Sequence, residues 1–273
     1  MHPGAEHLVR HDLPGFAAAN GWSYSPEGVP PALGESLWEQ ATSGVARDQV
    51  FGPDWEAGRI TGGDRRASSV EQRGGWTLTK TVSVSTPRRS LDLGYLAIRL
   101  PRRMPHIILD ARRNDRGALS SLQHRPQASQ RMSLEGDFDS HFRLYVPEGY
   151  GPDGLYVFTP DLMALLVDET GDLDVEIRDD RLIVYRPGGF DLLDERTWRR
   201  FAEIRASVGA KSWDRTARYL DDRSPAPALV FESGRRLERR VPWYVWLAVG
   251  IPLGVLVLVG TTLAIVFGQV FGR

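Results

Sequence analysis

The hydrophobic pattern changes its period as the chain proceeds. Leu13 to Asn20 carries Phe16, Ala17 and Ala18 and stops at Gly21, which predicts a short helix closed by a C-terminal glycine. Trp22 and Tyr24 follow and are expected to pack on the main body. Gly28 to Gly34, with Pro30 and Pro31, predicts a loop, and Glu35 to Thr42 a further short helix around Leu37 and Trp38. From Gly44 the period shortens to two. Val45 to Phe51 and Trp55 to Thr61 flank Gly52-Pro53-Asp54, which predicts two strands and a turn. Gly62 to Gly75 is polar and predicts a loose hairpin loop. In Trp76 to Ser85, Trp76, Leu78, Lys80, Val82 and Val84 alternate with Thr and Ser, the pattern of a half-buried antiparallel strand. Leu91 to Leu100 is apolar on both faces and should be central, and Met104 to Leu109 predicts a fifth, shorter strand. Residues 45–110 together predict an antiparallel β-meander with one buried face.

Arg112 to Arg131 is polar and predicts either a linker between two domains or a loop within one. A second unit follows. Phe142 to Val146 predicts a strand. Thr159-Pro160-Asp161 is a helix start, with Thr as cap, Pro in the first turn and Asp at the positive dipole end. That helix carries Leu162, Met163, Leu165 and Leu166 and ends near Gly171. Val175 to Arg178 and Arg181 to Tyr185 flank Asp179-Asp180 and predict a hairpin. Asp191 to Val208 repeats Trp198, Phe201, Ile204 and Val208 at helical spacing, and Ser212 to Asp221 predicts a last helix. The fold class is therefore α+β: the meander, then a strand–helix–hairpin–helix unit.

The end of the chain has no period at all. From Val241 to Gly272 there is no charged residue. Trp243 to Phe267 would be about 37 Å long as a helix at about 1.5 Å per residue, against a hydrocarbon core of about 30 Å. Fourteen of its 25 residues are Leu, Ile, Val or Phe, favouring insertion by about −6 kcal/mol before Gly, Pro and Thr oppose it. Arg223, Arg235, Arg236, Arg239 and Arg240 precede the span and only Arg273 follows it, which predicts that the preceding residues are cytoplasmic. Trp243, Tyr244 and Trp246 would sit at headgroup level. Met1 to Gly21 has no apolar run resembling a signal peptide. The expected organisation is an N-terminal helical segment (1–43), a cytoplasmic head (44–222), a basic juxtamembrane linker (223–242), a transmembrane helix (243–267) and a short tail (268–273). Gly260, Ala264 and Gly268 recur every four residues, spacing that lets two such helices approach closely as a homodimer.

Composition narrows the chemistry. The chain has no cysteine, which excludes disulfides, cysteine-ligated metals and thiol catalysis. Residues 1–222 carry 28 Lys and Arg against 33 Asp and Glu, whereas 223–242 carries five Arg against two Glu. An acidic head on a basic collar argues against nucleic-acid binding and suits a head whose collar, Arg235, Arg236, Arg239 and Arg240, lies on anionic lipid headgroups. Lys80 and Lys211 are the only lysines, so arginine is the default cation of this chain.

Three segments, MSLEGDFDSHFRLYV (132–146), YVFTPDLMALLVD (156–168) and VEIRDDRLIVYRP (175–187), resemble a family of uncharacterised membrane-anchored proteins common in high-GC Gram-positive bacteria. GFAAANGWSY (15–24), GPDWEAGRI (52–60) and LAIRLPRRMPHIILDARR (96–113) resemble the N-terminal half of the same proteins. The shared motifs are packing motifs. The resemblance implies an α+β head tied to a membrane and assigns no activity or cofactor.

Among possible sites, Arg102, Arg103, His106, Arg112, Arg113 and Arg116 form the densest basic cluster outside the collar and could bind the phosphate of a lipid or nucleotide. The plainer reading is charged strand ends around a buried run. Asp137, Asp139 and His141 have metal-like spacing if they share a strand face. On a helix, Asp137 and His141 would be neighbours but Asp139 would not, and capping with Phe138 and Phe142 buried is the simpler account. Asp168, Asp172, Asp174 and Glu176 lack the spacing and glycine of a calcium loop. No nucleophile elbow, phosphate loop, dinucleotide fingerprint or zinc-protease motif occurs. The sequence thus predicts a single-pass, C-terminally anchored protein whose cytoplasmic head is a binding or adaptor module. The alternative is a membrane-surface enzyme that orients an anionic substrate on the arginine cluster.

Overall fold

The computed structural model describes residues 12–29, 44–62, 66–73, 76–83, 91–115, 126–134, 136–226 and 229–238. The expected helix at Glu35 to Thr42 and the transmembrane span lie outside these residues. Among the described residues no helix is long and apolar enough to cross a membrane. The chain divides into two compact units, Met1–Glu238 and Arg239–Arg273, and the fold that follows is that of the first.

Its centre is one strand, β6 (Leu91–Ala111), apolar on both faces for most of its 21 residues. β9 (Asp174–Pro187) pairs antiparallel with it over two stretches, Leu93 to Arg99 and Met104 to Leu109. Opposite β9, the first half of β6 pairs with β3 (Trp55–Gly62) and the second half with β8 (Phe142–Tyr145). β1 (Ser23–Gly28) and β2 (Gly44–Phe51) extend the sheet beyond β3, and β7 (Arg131–Met132) beyond β8, giving seven antiparallel strands. Among the described residues β4 (Arg66–Arg73) and β5 (Trp76–Ser83) pair only with each other.

Two expectations are corrected here by one cause. The break foreseen between Leu100 and Met104 is a bulge in a single strand, where the register shifts between Arg99 and Ile107. Pro101 and Pro105 fall in this interval, and proline has no N–H to give the ladder. Opposite the bulge lie Asp179, whose φ is +48°, and Asp180. The expected hairpin at Asp179-Asp180 is therefore an irregularity in one continuous strand. The meander is corrected too. Gly62 to Gly75 contains a strand, and the strand beginning at Trp76 pairs outside the main sheet, so β3 meets β6 directly.

Helices cover one face of the sheet. They are α1 (Leu13–Ala19), α2 (Phe138–His141), α3 (Gly151–Val157), α4 (Pro160–Thr170), α5 (Glu195–Ile204) and α6 (Ala210–Thr216). Leu96, Ile98, Met104, Ile107 and Leu109 of β6 join Phe142, Leu162, Leu166, Phe201 and Ile204 in the larger core. α4 starts at Pro160 as expected, although the Thr159 hydroxyl makes no cap bond. The two helices foreseen after Asp191 are one run: α5 passes through a π turn, Arg205–Gly209, into α6. Asp194 caps α5 by accepting from the Arg196 N–H at 2.9 Å. Trp22 packs as expected, 4.9 Å from Trp55 and 5.6 Å from Trp198, which pins the N-terminal segment to α5.

The other face of β6 and β9 is buried as well, around Leu93, Tyr95, Ile108, Ile183, Tyr185 and Leu237. The sheet is thus covered on both faces, not on one. On the opposite, helix-covered face, Gly94 is required for the close approach of the chain around Phe190, which belongs to the larger core. A Cβ there would lie 2.5 Å from the Phe190 backbone nitrogen and 2.9 Å from the Gly189 carbonyl carbon. Backbone cannot swing aside as a side chain can. Gly94→Ala is expected to lower stability by about 3 kcal/mol, the upper end of ordinary overpacking, measured by thermal unfolding.

Candidate functional site

The arginine cluster is not brought together. Arg102 and Arg103 lie in the β6 bulge, where Arg102 Nε donates to the Ala217 carbonyl at 2.7 Å and Arg103 is exposed. Arg112 and Arg113 lie in a 3-10 turn, Arg112–Asn114, just past the end of the strand. Arg112 Nε is buried without a hydrogen-bond partner, and Arg113 is exposed. Nine residues of strand at about 3.3 Å each put the two pairs about 25–30 Å apart. His106 is buried and bonded to Glu176 and Leu237 instead. Arg116 lies outside the described residues.

Asp137, Asp139 and His141 follow the helical alternative. Asp137 precedes α2, and its carboxylate is 3.7 Å from His141 Nε2. Asp139 turns aside to accept from the Ser133 hydroxyl and the Leu134 N–H. Phe138 and Phe142 are buried with their rings 5.2 Å apart. The acids from Asp172 to Glu176 also separate. Asp172 pairs with Arg200, Asp174 accepts from the Ala111 N–H at 2.8 Å, and Glu176 faces His106. Among the described residues no group of three or more potential ligands could hold a metal ion.

The polar groups that do converge hold down the stretch after Arg223, which the sequence predicted as a linker. As far as Glu238 it is folded onto the body. Val230 and Leu237 are buried, and Glu232–Arg235 forms a short helix, α7. Asp221 fixes the start of this stretch. Its Oδ2 accepts from the Phe231 N–H and the Tyr150 hydroxyl, both at 2.8 Å. Its Oδ1 accepts from the Arg223 N–H at 3.1 Å and the Arg223 guanidinium at 3.2 Å. That guanidinium also lies 4.2 Å from the Tyr150 ring centre and 3.1 Å from Asp153. Gly234 lies against Tyr150: a Cβ there would be 2.5 Å from the phenol oxygen. His106 fixes the other end. The Leu237 N–H donates to His106 Nδ1 at 3.1 Å, so the ring proton sits on Nε2, which is 2.7 Å from Glu176 Oε1. The Tyr185 hydroxyl donates to Glu176 Oε2 at 2.8 Å. Finally Gln127 donates twice to Glu238, from its backbone N–H to the carbonyl at 3.1 Å and from Nε2 to the carboxylate at 2.8 Å.

These two nodes have unusual electrostatics. Burial alone would push the Glu176 carboxyl up, but His106, Arg178 and Tyr185 outweigh it and hold the group below the usual range. Asp221 behaves likewise: burial raises it, and the bonds from Phe231, Tyr150 and Arg223 bring it down. Burial and the bond to Asp221 push Tyr150 up to about 12.

Of the collar residues described, Arg235 is exposed and Arg236 half-buried. Arg235 Nε donates to the Val230 carbonyl at 3.0 Å, and Arg236 lies 3.6 Å from Asp179. Arg239, Arg240, Trp243, Tyr244 and Trp246 lie outside the described residues, as do Gly260, Ala264 and Gly268.

Two clefts open on the helical side. One, of about 530 Å³, is lined by Leu13, Asp48, Arg59, Arg186 and Phe190. Arg59 there is held bidentately by Asp92 at 2.6 and 2.7 Å, and Asp48 accepts from the Tyr24 hydroxyl at 2.7 Å. The second, of about 380 Å³, lies beside the π turn, between Asp54, Ile98 and Trp213. Arg205 in it stacks 4.6 Å from the Trp55 ring. The polar lining of both is Asp and Arg: Asp54, Asp214 and Arg205 in the smaller, Asp48, Asp191, Arg59 and Arg186 in the larger.

No protein-family model and no curated protein sequence matches the chain. Among solved structures, a crystal structure of the mycobacterial trehalose monomycolate transport factor A is similar at 8% identity, with a TM-score of 0.36, over 76% of this chain and 96% of that one. So slight a likeness carries no argument.

Proposed function

We propose that the chain is a single-pass membrane protein anchored through residues 243–267, with its head cytoplasmic and acting as a binding or adaptor module. The observation that carries the reading is the uncharged run itself, which begins at Val241, with two residues between it and Glu238, the last residue described. The stretch bonded to buried Asp221 and His106 is part of the folded head and not a free tether. Basic residues precede the run and favour the cytoplasmic side for the head. Arg235, Arg236, Arg239 and Arg240 are the collar proposed to meet anionic headgroups, and the Gly260, Ala264 and Gly268 face is the proposed dimer contact. The enzyme alternative drew on the arginine cluster, and with its members about 25–30 Å apart along the strand no observation favours it.

The test is fractionation of cells expressing the full chain or a chain ending at Glu238. The full chain should stay in the membrane pellet after alkaline carbonate extraction, and the shortened chain should be released. Release of both would contradict the proposal.

A further inference from the structure

Eight large apolar side chains are exposed among the described residues, and five of them share one corner: Leu155, Tyr156, Leu220, Leu229 and Phe231. The elements that carry them are bonded together. The Tyr156 ring lies 6.1 Å from that of Tyr219, whose hydroxyl donates to Asp153 of α3. The Phe231 N–H is fixed to Asp221, next to Leu220. Leu229 and Phe231 point outward while Val230 between them is buried. Arg215, stacked 5.5 Å from the Tyr156 ring, and exposed Arg218 lie at the rim, together with exposed Asp222 and Glu232. The rim is therefore close to neutral, and the attraction this corner offers is apolar.

We infer that this corner is a bilayer-contacting surface, on which leucine and aromatic side chains enter the interfacial region of the membrane that holds the anchor. The inference rests on the anchoring reading proposed above. Two further observations choose lipid as the occupant. Phe231 precedes Trp243 by only twelve residues, and the bonded stretch through Glu238 leaves four residues, at most about 14 Å of extended chain, before the span. Leucine, tyrosine and phenylalanine with arginine at the rim are also the side chains that favour a headgroup–acyl boundary, where an apolar body meets water.

The absence of cysteine permits a direct test. Leu220→Cys and Phe231→Cys, with Leu193→Cys and Val29→Cys as exposed controls elsewhere, would each carry a polarity-sensitive fluorophore. The full chain would be reconstituted into phosphatidylcholine vesicles containing headgroup-proximal nitroxide lipid. Blue-shifted emission, with more than half of it quenched by the nitroxide at positions 220 and 231 and little at 193 and 29, is expected, at low and high salt alike. Water-like emission at 220 and 231 in chains that float with the vesicles overturns the inference and leaves the anchor standing. Shielding without nitroxide quenching also overturns it, because protein then covers the corner. A chain that does not float with vesicles overturns the anchoring reading and this inference with it.

Discussion

His106→Ala is expected to lower the stability of the head by about 3 kcal/mol. The ring is 1% exposed and satisfies two groups at once, the Glu176 carboxylate and the Leu237 N–H. A hydrogen bond to a charged group contributes about 1.5–3 kcal/mol, and a buried donor such as the Leu237 N–H left without a partner costs about 1–3 kcal/mol. Against a total stability of about 5–15 kcal/mol this is a large share. For a unit of this size it corresponds to a fall of about 6–12 °C in the unfolding midpoint. Glu176→Gln keeps the shape and an acceptor for Nε2–H, and should cost less than half as much. Thermal unfolding of the detergent-solubilised full chain measures both. A midpoint within a degree or so of the parent for His106→Ala would show that this network does not support the fold.

Asp221→Ala should release the 229–238 stretch while leaving the sheet folded. Four bonds from three residues end on this one carboxylate. Each donor left without a partner costs about 1–3 kcal/mol when it stays buried, and less when water reaches it. The expected loss is about 3 kcal/mol for the local opening, seen as faster amide exchange from Val230 to Leu237 with little change in β6 and β9. The same node predicts an acid dependence. The Asp221 carboxyl is held below its ordinary value in the folded state. Its contribution is therefore complete above about pH 4, the unfolded value, and is lost as pH falls through the lower folded value. Exchange in 230–237 should accelerate below about pH 4 in the parent, and Asp221→Asn should weaken that dependence while retaining part of the bonding. Protection that is unchanged in Asp221→Ala would mean that Val230 and Leu237 hold the stretch without the carboxylate.

The parts of the fold that were legible in the sequence are those decided locally. Gly52-Pro53-Asp54 makes its turn, Pro160 starts its helix, and the two-faced apolar run from Leu91 is central, as its pattern required. What was not legible depends on the opposite strand. Asp179-Asp180 has the composition of a hairpin turn, and only the bulge imposed by Pro101 and Pro105 across the ladder keeps it within one strand. Arg66 to Arg73 is polar and signals no strand by itself, yet it pairs along its whole length with Trp76 to Ser83. The site was obscured for a related reason. His106 follows two arginines in sequence, whereas strand geometry turns it to a buried face and toward a carboxylate 70 residues away. Glu176 between Val175 and Ile177 was a faint signal, an acid inside an apolar strand. Asp221 gave none, since its importance comes from donors at positions 150, 223 and 231 that only the fold assembles.

The most direct test of the account is the sidedness of the head. A reporter active only in the cytoplasm and another active only outside the cell would each be fused to the N-terminus, with the fractionation behaviour of each fusion checked in parallel. Anchoring through residues 243–267 with the basic flank inside predicts signal from the cytoplasmic reporter alone, with the fusion in the membrane pellet. Signal from the external reporter would contradict the assigned orientation and place the head, and any partner it binds, on the other side of the membrane.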